Sequence, residues 1–340
     1  MTDRPIGLLA GGGRLPIIEA QGIRASGRKV ACVGFTGQFD PELPDYCDHF
    51  ETAGVVRLNR WLKLMRRWDV EKAIMVGYVR KTRMYQPLRI VSNLPDSRAI
   101  RLWYRVLRND KRSQQMLAAI ADELRDNGVE LIDTTTFIKN HLAELGTMTK
   151  TQPTADQQAD IDFAIPILAR MNDLDIGQAL AIKERDVIAV EAIEGTDRMI
   201  KRAGMLCRAG GWILVKGAKP SKDLRFDVPT IGVSTIRNLR YAKGSCLVIT
   251  AGNVIMIDKQ DVIEAADEAG IAIVGIEPVE GTKLPIETLA KYALPTEDLP
   301  DLPDDLSPNA HALDQEHDDD QDASDDDEHI ADSEPHPSTK

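Results

Sequence analysis

The chain has 340 residues, with 42 Lys/Arg and 54 Asp/Glu, for a formal net charge of −12. That charge is unevenly spread: residues 296–340 hold 17 acidic residues and one Lys, so the rest of the chain is mildly basic, at +4. No stretch approaches the roughly 18 apolar residues of a membrane span. The start is too short and too quickly broken by glycines to read as a signal peptide, and Cys32, Cys47, Cys207 and Cys246 lack the CxxC spacing of a zinc site or the pattern of a disulfide frame.

The first half alternates strand-like and helix-like segments. An apolar run at 6–10 enters Gly11-Gly12-Gly13, and a helical pattern follows over 16–27. A strand at 29–35, a helix at 57–68 and a strand at 73–78 continue the series. This βαβαβ order predicts a parallel sheet covered by helices, a Rossmann-like domain. A helix over 112–128 is expected to stop at Gly128, with 129–133 returning to the sheet.

The polar stretch 147–160, with Pro153, reads as a hinge between an N-terminal domain at 1–146 and a C-terminal domain at 161–295. A helix over 161–175 is expected to kink or break at Pro166. Strands are predicted at 178–183, 186–193, 212–217, 245–250, 254–258 and 271–276, with helices at 197–204 and 262–270. Residues 251–253 read as a short turn joining two of these strands. The second domain is therefore a mixed α/β fold with some hairpin strands. Residues 296–340 have too few aliphatic side chains to offset the entropy of ordering, which predicts a disordered acidic tail.

Two acidic clusters flank the apolar run that ends at Lys219. Glu191, Glu194 and Asp197 follow at three-residue steps, so a helical or turn-rich path would bring them to one side. Asp223, Arg225 and Asp227 alternate, and on an extended backbone they would point into one space. Carboxylate oxygens beside a guanidinium suit a Mg²⁺-bound phosphate. A solvated strand edge with surface ion pairs accounts for the same spacing. Gly11, Gly12 and Gly13 would let backbone N–H groups approach a phosphate, but a tight strand–helix connection explains them equally. Pro16 stands where the third glycine of GxGxxG belongs, which argues against a dinucleotide redox cofactor. Arg80, beyond the strand at 73–78, and Gln178 each have a phosphate- or base-reading role and a plain structural one open to them.

The segments VEAIEGTDRMIKRAG (190–204), ILVKGAKP (213–220) and DLRFDVPTIG (223–232) resemble the motifs of the LpxI family, the UDP-2,3-diacylglucosamine pyrophosphatases of lipid A biosynthesis. LLAGGGRLP (8–16), IMVGYVRK (74–81), LDIGQALAIKERDVIAVEAIEG (174–195) and DVIEAADEAGIAIVGI (261–276) extend the likeness over roughly residues 5–290, in the family's order. The resemblance implies a hydrolase that uses Mg²⁺ or Mn²⁺ to cleave UDP-2,3-diacylglucosamine into UMP and 2,3-diacylglucosamine 1-phosphate (lipid X). It implies Asp227 as first metal ligand and Asp223 as the next, with Glu191, Glu194 and Asp197 completing a metal or water-positioning shell. Arg225 and Lys219 would neutralise phosphate, and Gly11, Gly12, Gly13, Arg80, Gln178 and Thr196 would contact the substrate.

Of six histidines only His49 and His141 lie outside the tail, so a phosphodiesterase centre built from several His and Asp ligands cannot be assembled. Residues 57–112 hold 16 Lys/Arg against four Asp/Glu. Trp61, Leu62, Leu64, Met65 and Trp68 interleave with basic positions there, as suits a helix lying on anionic phospholipid. A helix packed on its own sheet with a solvated basic face explains that pattern as well. The expectation is a cytoplasmic protein, peripheral on the inner face of the inner membrane. No RNP or helix-turn-helix pattern points to nucleic acid, and a homo-oligomer is compatible with the sequence. Two other classes stay open: a nucleotide-sugar-binding regulator without chemistry, and a cationic membrane- or nucleic-acid-associated binding protein.

Overall fold

The computed structural model describes residues 4–79, 94–107, 113–220, 223–225 and 228–280. Arg80, Asp227 and the acidic tail at 296–340 lie outside the described residues.

The first half is a five-stranded parallel sheet in the order β3-β2-β1-β4-β5. Its strands are β1 (Ile6–Ala10), β2 (Val30–Phe35), β3 (His49–Ala53), β4 (Lys72–Val76) and β5 (Glu130–Leu131). β1 and β2 are buried along their whole length, as a sheet covered on both faces requires. On one face, α1 (Leu15–Ala25) packs Ile17, Ala20 and Ile23 against Ile6, Leu8, Val30 and Ile74. On the other, α2 (Leu58–Arg67) brings Trp61, Leu62 and Met65 onto Leu9, Val33 and Phe35, joined by α4 (Ser113–Arg125) through Leu124. Between them the short α3 (Ser97–Leu102) runs on as a π-turn at Trp103–Leu107. The apolar face of α2 is thus spent on its own sheet: Trp61, Leu62, Leu64 and Met65 are all buried. Its basic residues form the solvated face, and this helix has no free apolar stripe to lay on a bilayer.

The second half is a six-stranded mixed sheet in the order β6-β13-β11-β9-β7-β8. β9 (Trp212–Lys216), β11 (Gly244–Thr250) and β13 (Ala272–Ile276) run parallel. β7 (Ala179–Lys183) and β8 (Asp186–Val190) form an antiparallel hairpin beside β9, and β6 (Gly146–Thr147) closes the far edge. Alternation along the strands sorts two cores. Leu180, Ile182, Ile213 and Val215 face α5 (Ala155–Asp173), while Ala179, Ala181, Trp212 and Leu214 face α6 (Thr196–Leu206), α7 (Val233–Tyr241) and α8 (Lys259–Ala269).

Three local expectations are corrected. α5 starts at Ala155 rather than 161, because Thr154 and Gln157 form a reciprocal capping box. Pro166 sits, exposed, inside that helix without ending it, so the break does not occur. The turn after β11 does not make a hairpin: β12 (Ile255–Met256) pairs in parallel with β10 (Thr230–Ile231) as a separate two-stranded sheet.

Candidate functional site

A cavity opens where β1, β2, β4 and β9 end, the side of an α/β sheet on which ligands usually sit. It has two parts that share Tyr78, Thr230 and Ile257. One, of about 500 Å³, is walled by Thr196, Asp197, Lys216, Gly232, Ser234, Thr235 and Asp258. The other, of about 390 Å³, is mostly apolar, with Leu15, Phe35, Met75, Val79, Leu117 and Val228 beside Gly12 and Gly13.

The polar part is built by two helix starts and one buried cation. α6 begins at Thr196 after Gly195, whose φ of +82° suits glycine, and α7 begins after Gly232. Unsatisfied N–H groups and the helix dipole make each such end attractive to anions. Lys216, only 6% exposed, closes β9 between them. Its Nζ donates to Thr196 Oγ1 (3.0 Å) and to Thr230 O (3.1 Å), and Thr196 Oγ1 in turn donates to Glu191 Oε1 (2.9 Å). Glu191 is buried, and its Oε2 has no hydrogen-bond partner among the described residues. A buried ammonium is costly unless paired. Its placement on a cavity wall, linked to a buried carboxylate through a hydroxyl, equips the wall to hold an anionic group.

Two amides of the glycine turn are engaged within the fold. Gly11 N–H donates to Val76 O (2.8 Å) and Gly12 N–H to Tyr78 O (2.8 Å), so both amides prolong the pairing with β4. A Cβ on Gly12 would come within 2.8 Å of the Tyr78 ring, and one on Gly11 within 2.7 Å of Tyr78 O. These glycines let Tyr78 lie across the turn, where it separates the two parts of the cavity.

Among the described residues the two acidic clusters do not converge. Asp197 reaches the cavity wall, where Asn238 Nδ2 donates to its Oδ1 (2.9 Å). Glu194 turns back to Ala192 N and Arg202; its own backbone N–H, then the Arg202 guanidinium, holds its carboxyl below the usual range. The helix begins only at Thr196, leaving Glu191 and Glu194 in the preceding loop. Asp223 and Arg225 are not on an extended strand: Leu224 and Arg225 form a turn, and Asp223 accepts from Arg225 N, Nε and Nη2. That grip keeps the Asp223 carboxyl below its ordinary range. The turn is fastened to the first half by Thr134, which donates to Leu224 O and Arg225 O. Lys219 lines neither of these two parts of the cavity, and Gln178, just before β7, has a buried Oε1 without a partner among the described residues. No group of three His, Cys, Asp or Glu side chains converges among the described residues.

Lys216, Tyr78, Asp258 and the α7 start were not singled out by the sequence. The one available signal for Lys216 was a cation closing an otherwise apolar strand, WILVK.

Comparison with known proteins covers both halves. Models of the LpxI N-terminal domain and the LpxI C-terminal domain match residues 5–141 and 144–274. A relative from Caulobacter vibrioides (strain ATCC 19089 / CIP 103742 / CB 15), UDP-2,3-diacylglucosamine pyrophosphatase LpxI, is 30% identical over 285 residues, covering 82% of this chain and 99% of the relative. With its glycine turn, its EGT-started α6 and its TIG-started α7 all falling inside the matched domains, the chain belongs to the LpxI family.

Proposed function

We propose that this protein hydrolyses the diphosphate of UDP-2,3-diacylglucosamine, releasing UMP and 2,3-diacylglucosamine 1-phosphate at the cytoplasmic face of the inner membrane. The observation that carries the reading is the two-part cavity, with a polar part walled by Lys216 and two helix starts, joined at Tyr78 to an apolar part. A substrate with an anionic bridge and two acyl chains needs both kinds of wall. Lys216 would hold a phosphate oxygen, the N–H groups of α6 and α7 would share its charge, and the Phe35–Leu117 side would take acyl chain.

Mg²⁺ or Mn²⁺ fits this donor set without a protein cage, since Mg²⁺ is commonly held by one or two carboxylates together with substrate phosphates and water. Asp197, on the wall, and Asp227, assigned from the family motif, would hold it. When bound, the ion draws charge from the phosphate oxygens and lowers the pKa of water. Asp227 would also orient the attacking water. Asp223 and Arg225 would act as one unit, keeping the segment that carries Asp227 against Thr134.

Incubating the purified chain with UDP-2,3-diacylglucosamine and Mg²⁺ and measuring UMP tests the reading. UMP release dependent on Mg²⁺ or Mn²⁺ supports it. Binding without release would favour a nucleotide-sugar-binding regulator instead.

A further inference from the structure

The outer faces of α6 and α7 carry a feature that hydrolysis does not use. Both helices cover the same side of the six-stranded sheet, pinned there by Met199, Ile200 and Ala203 on one and Ile236, Leu239 and Ala242 on the other. Their opposite stripes face solvent. On α6 the exposed positions are Asp197, Arg198, Lys201, Met205 and Leu206; on α7 they are Ser234, Arg237, Arg240 and Tyr241. Tyr241 is 89% exposed, Leu206 63% and Met205 59%. Residues 196–208 and 233–243 hold seven Lys/Arg and a single acid, Asp197, which Asn238 engages. Arg198, Lys201, Arg237 and Arg240 make no ion pair among the described residues.

We infer that this two-helix face docks on an anionic phospholipid surface. Cations with long apolar stems around protruding Met, Leu and Tyr side chains are what an interfacial contact requires: the stems and apolar tips enter the headgroup region while the charges stay with lipid phosphates. The N-terminal ends of the same helices wall the polar part of the cavity, so docking brings that cavity close to the bilayer. The inference rests on the hydrolytic reading only for its purpose; α2, the helix whose sequence suggested membrane contact, buries the residues needed for it.

The test uses the full chain and vesicles free of nucleotide sugar. Co-sedimentation is measured with phosphatidylglycerol/phosphatidylcholine vesicles and with pure phosphatidylcholine. Parental protein should bind the anionic vesicles and lose most, but not all, of that binding as salt rises. A variant with Arg198→Glu, Lys201→Glu, Arg237→Glu and Arg240→Glu should bind them at least tenfold more weakly, and one with Met205→Ser, Leu206→Ser and Tyr241→Ser should lose the salt-resistant part. A set with Gln at the four cationic positions should weaken binding too and guards against a charge-induced folding defect. All three should keep the parental thermal midpoint and their turnover of detergent-dispersed substrate. Charge-reversed protein that binds anionic vesicles like the parent, or parental protein that ignores them, overturns the inference while leaving the hydrolase reading intact. Tighter binding of a short RNA than of anionic vesicles by the parent, lost in the charge-reversed variant, overturns it in favour of nucleic acid.

Discussion

Lys216 Nζ and Thr196 Oγ1, twenty positions apart in the chain, lie 3.0 Å from each other and join the end of β9 to the first residue of α6. Thr196 Oγ1 has one proton, which it gives to Glu191, so it receives Lys216 on a lone pair and the three groups form one directed chain. The result is an ammonium fixed before substrate arrives, and a fixed charge costs little reorganisation at the moment of reaction.

Lys216→Met should therefore lower kcat/KM at least about 100-fold, equivalent to about 2.7 kcal/mol of transition-state stabilisation. The apolar chain of Met fills much of the same volume, and the thermal midpoint should fall by only a few degrees. UMP release and thermal unfolding of the same preparation check both halves. Parental turnover in the variant would remove Lys216 from the phosphate-binding role.

Thr196→Val and Thr196→Ser separate the hydroxyl from the methyl. Valine leaves Lys216 and Glu191 without their shared partner in a buried setting, a cost of about 1–3 kcal/mol, and should reduce turnover together with urea stability. Serine keeps the hydroxyl and should stay within a few-fold of the parent in both. If the two substitutions behave alike, the hydroxyl bridge carries neither function nor stability.

The parallel half was legible because its cause is local: the apolar runs at 6–10 and 30–35, separated by a helical pattern, leave little choice of arrangement. The site was less legible. Lys216 looks like any strand-ending lysine until the crossover brings Thr196 beside it, a relation no spacing encodes. The acidic triplet was hard to place for the opposite reason, since three-residue steps bring side chains together in a helix or a turn-rich path alike, and α6 starts after two of the three. Trp61 and Met65 made α2 look suited to a bilayer, because an amphipathic pattern records that a face is buried without recording against what.

Asp227→Ala should abolish UMP release while leaving the fold and substrate binding in place. Its position in DLRFDVPTIG, where the family likeness is strong, motivates the assignment. A carboxylate of purely structural use would instead lower thermal stability when removed. Turnover near the parental rate at saturating Mg²⁺ would show the assignment to be wrong.

Glu19 is fully buried on α1, and neither carboxyl oxygen has a partner among the described residues. Burial first, and the charge of Asp133 second, raise its pKa well above the usual carboxylate range. With the folded pKa above the unfolded value of about 4.3, the stabilising contribution is complete below roughly pH 4.3 and is lost as pH rises through the folded pKa. Glu19→Gln removes that titration. The variant should match the parent near pH 4 and become the more stable of the two as pH rises through the folded pKa of Glu19. Urea unfolding of both proteins across that range reads the difference, and parallel pH profiles would mean that Glu19 does not titrate as described.

Gly177 tests how closely the strand before the site must approach the loop that carries Glu191. It is not a turn glycine needing positive φ; its constraint is space, since a Cβ there would lie 2.0 Å from Glu191 O. The neighbouring backbone cannot yield freely, because Glu191 N–H is already bonded to Ala179 O at 2.8 Å. Gly177→Ala must therefore push the loop outward, at an overpacking cost of about 1–3 kcal/mol. The displacement should also move Glu191 Oε1 away from Thr196, so turnover should fall by more than the loss of folded protein explains. Thermal unfolding together with kcat on the folded fraction makes the comparison. A stable variant with parental kcat would show that the loop can shift without disturbing Lys216, and that the chain from Glu191 through Thr196 is looser than its geometry implies.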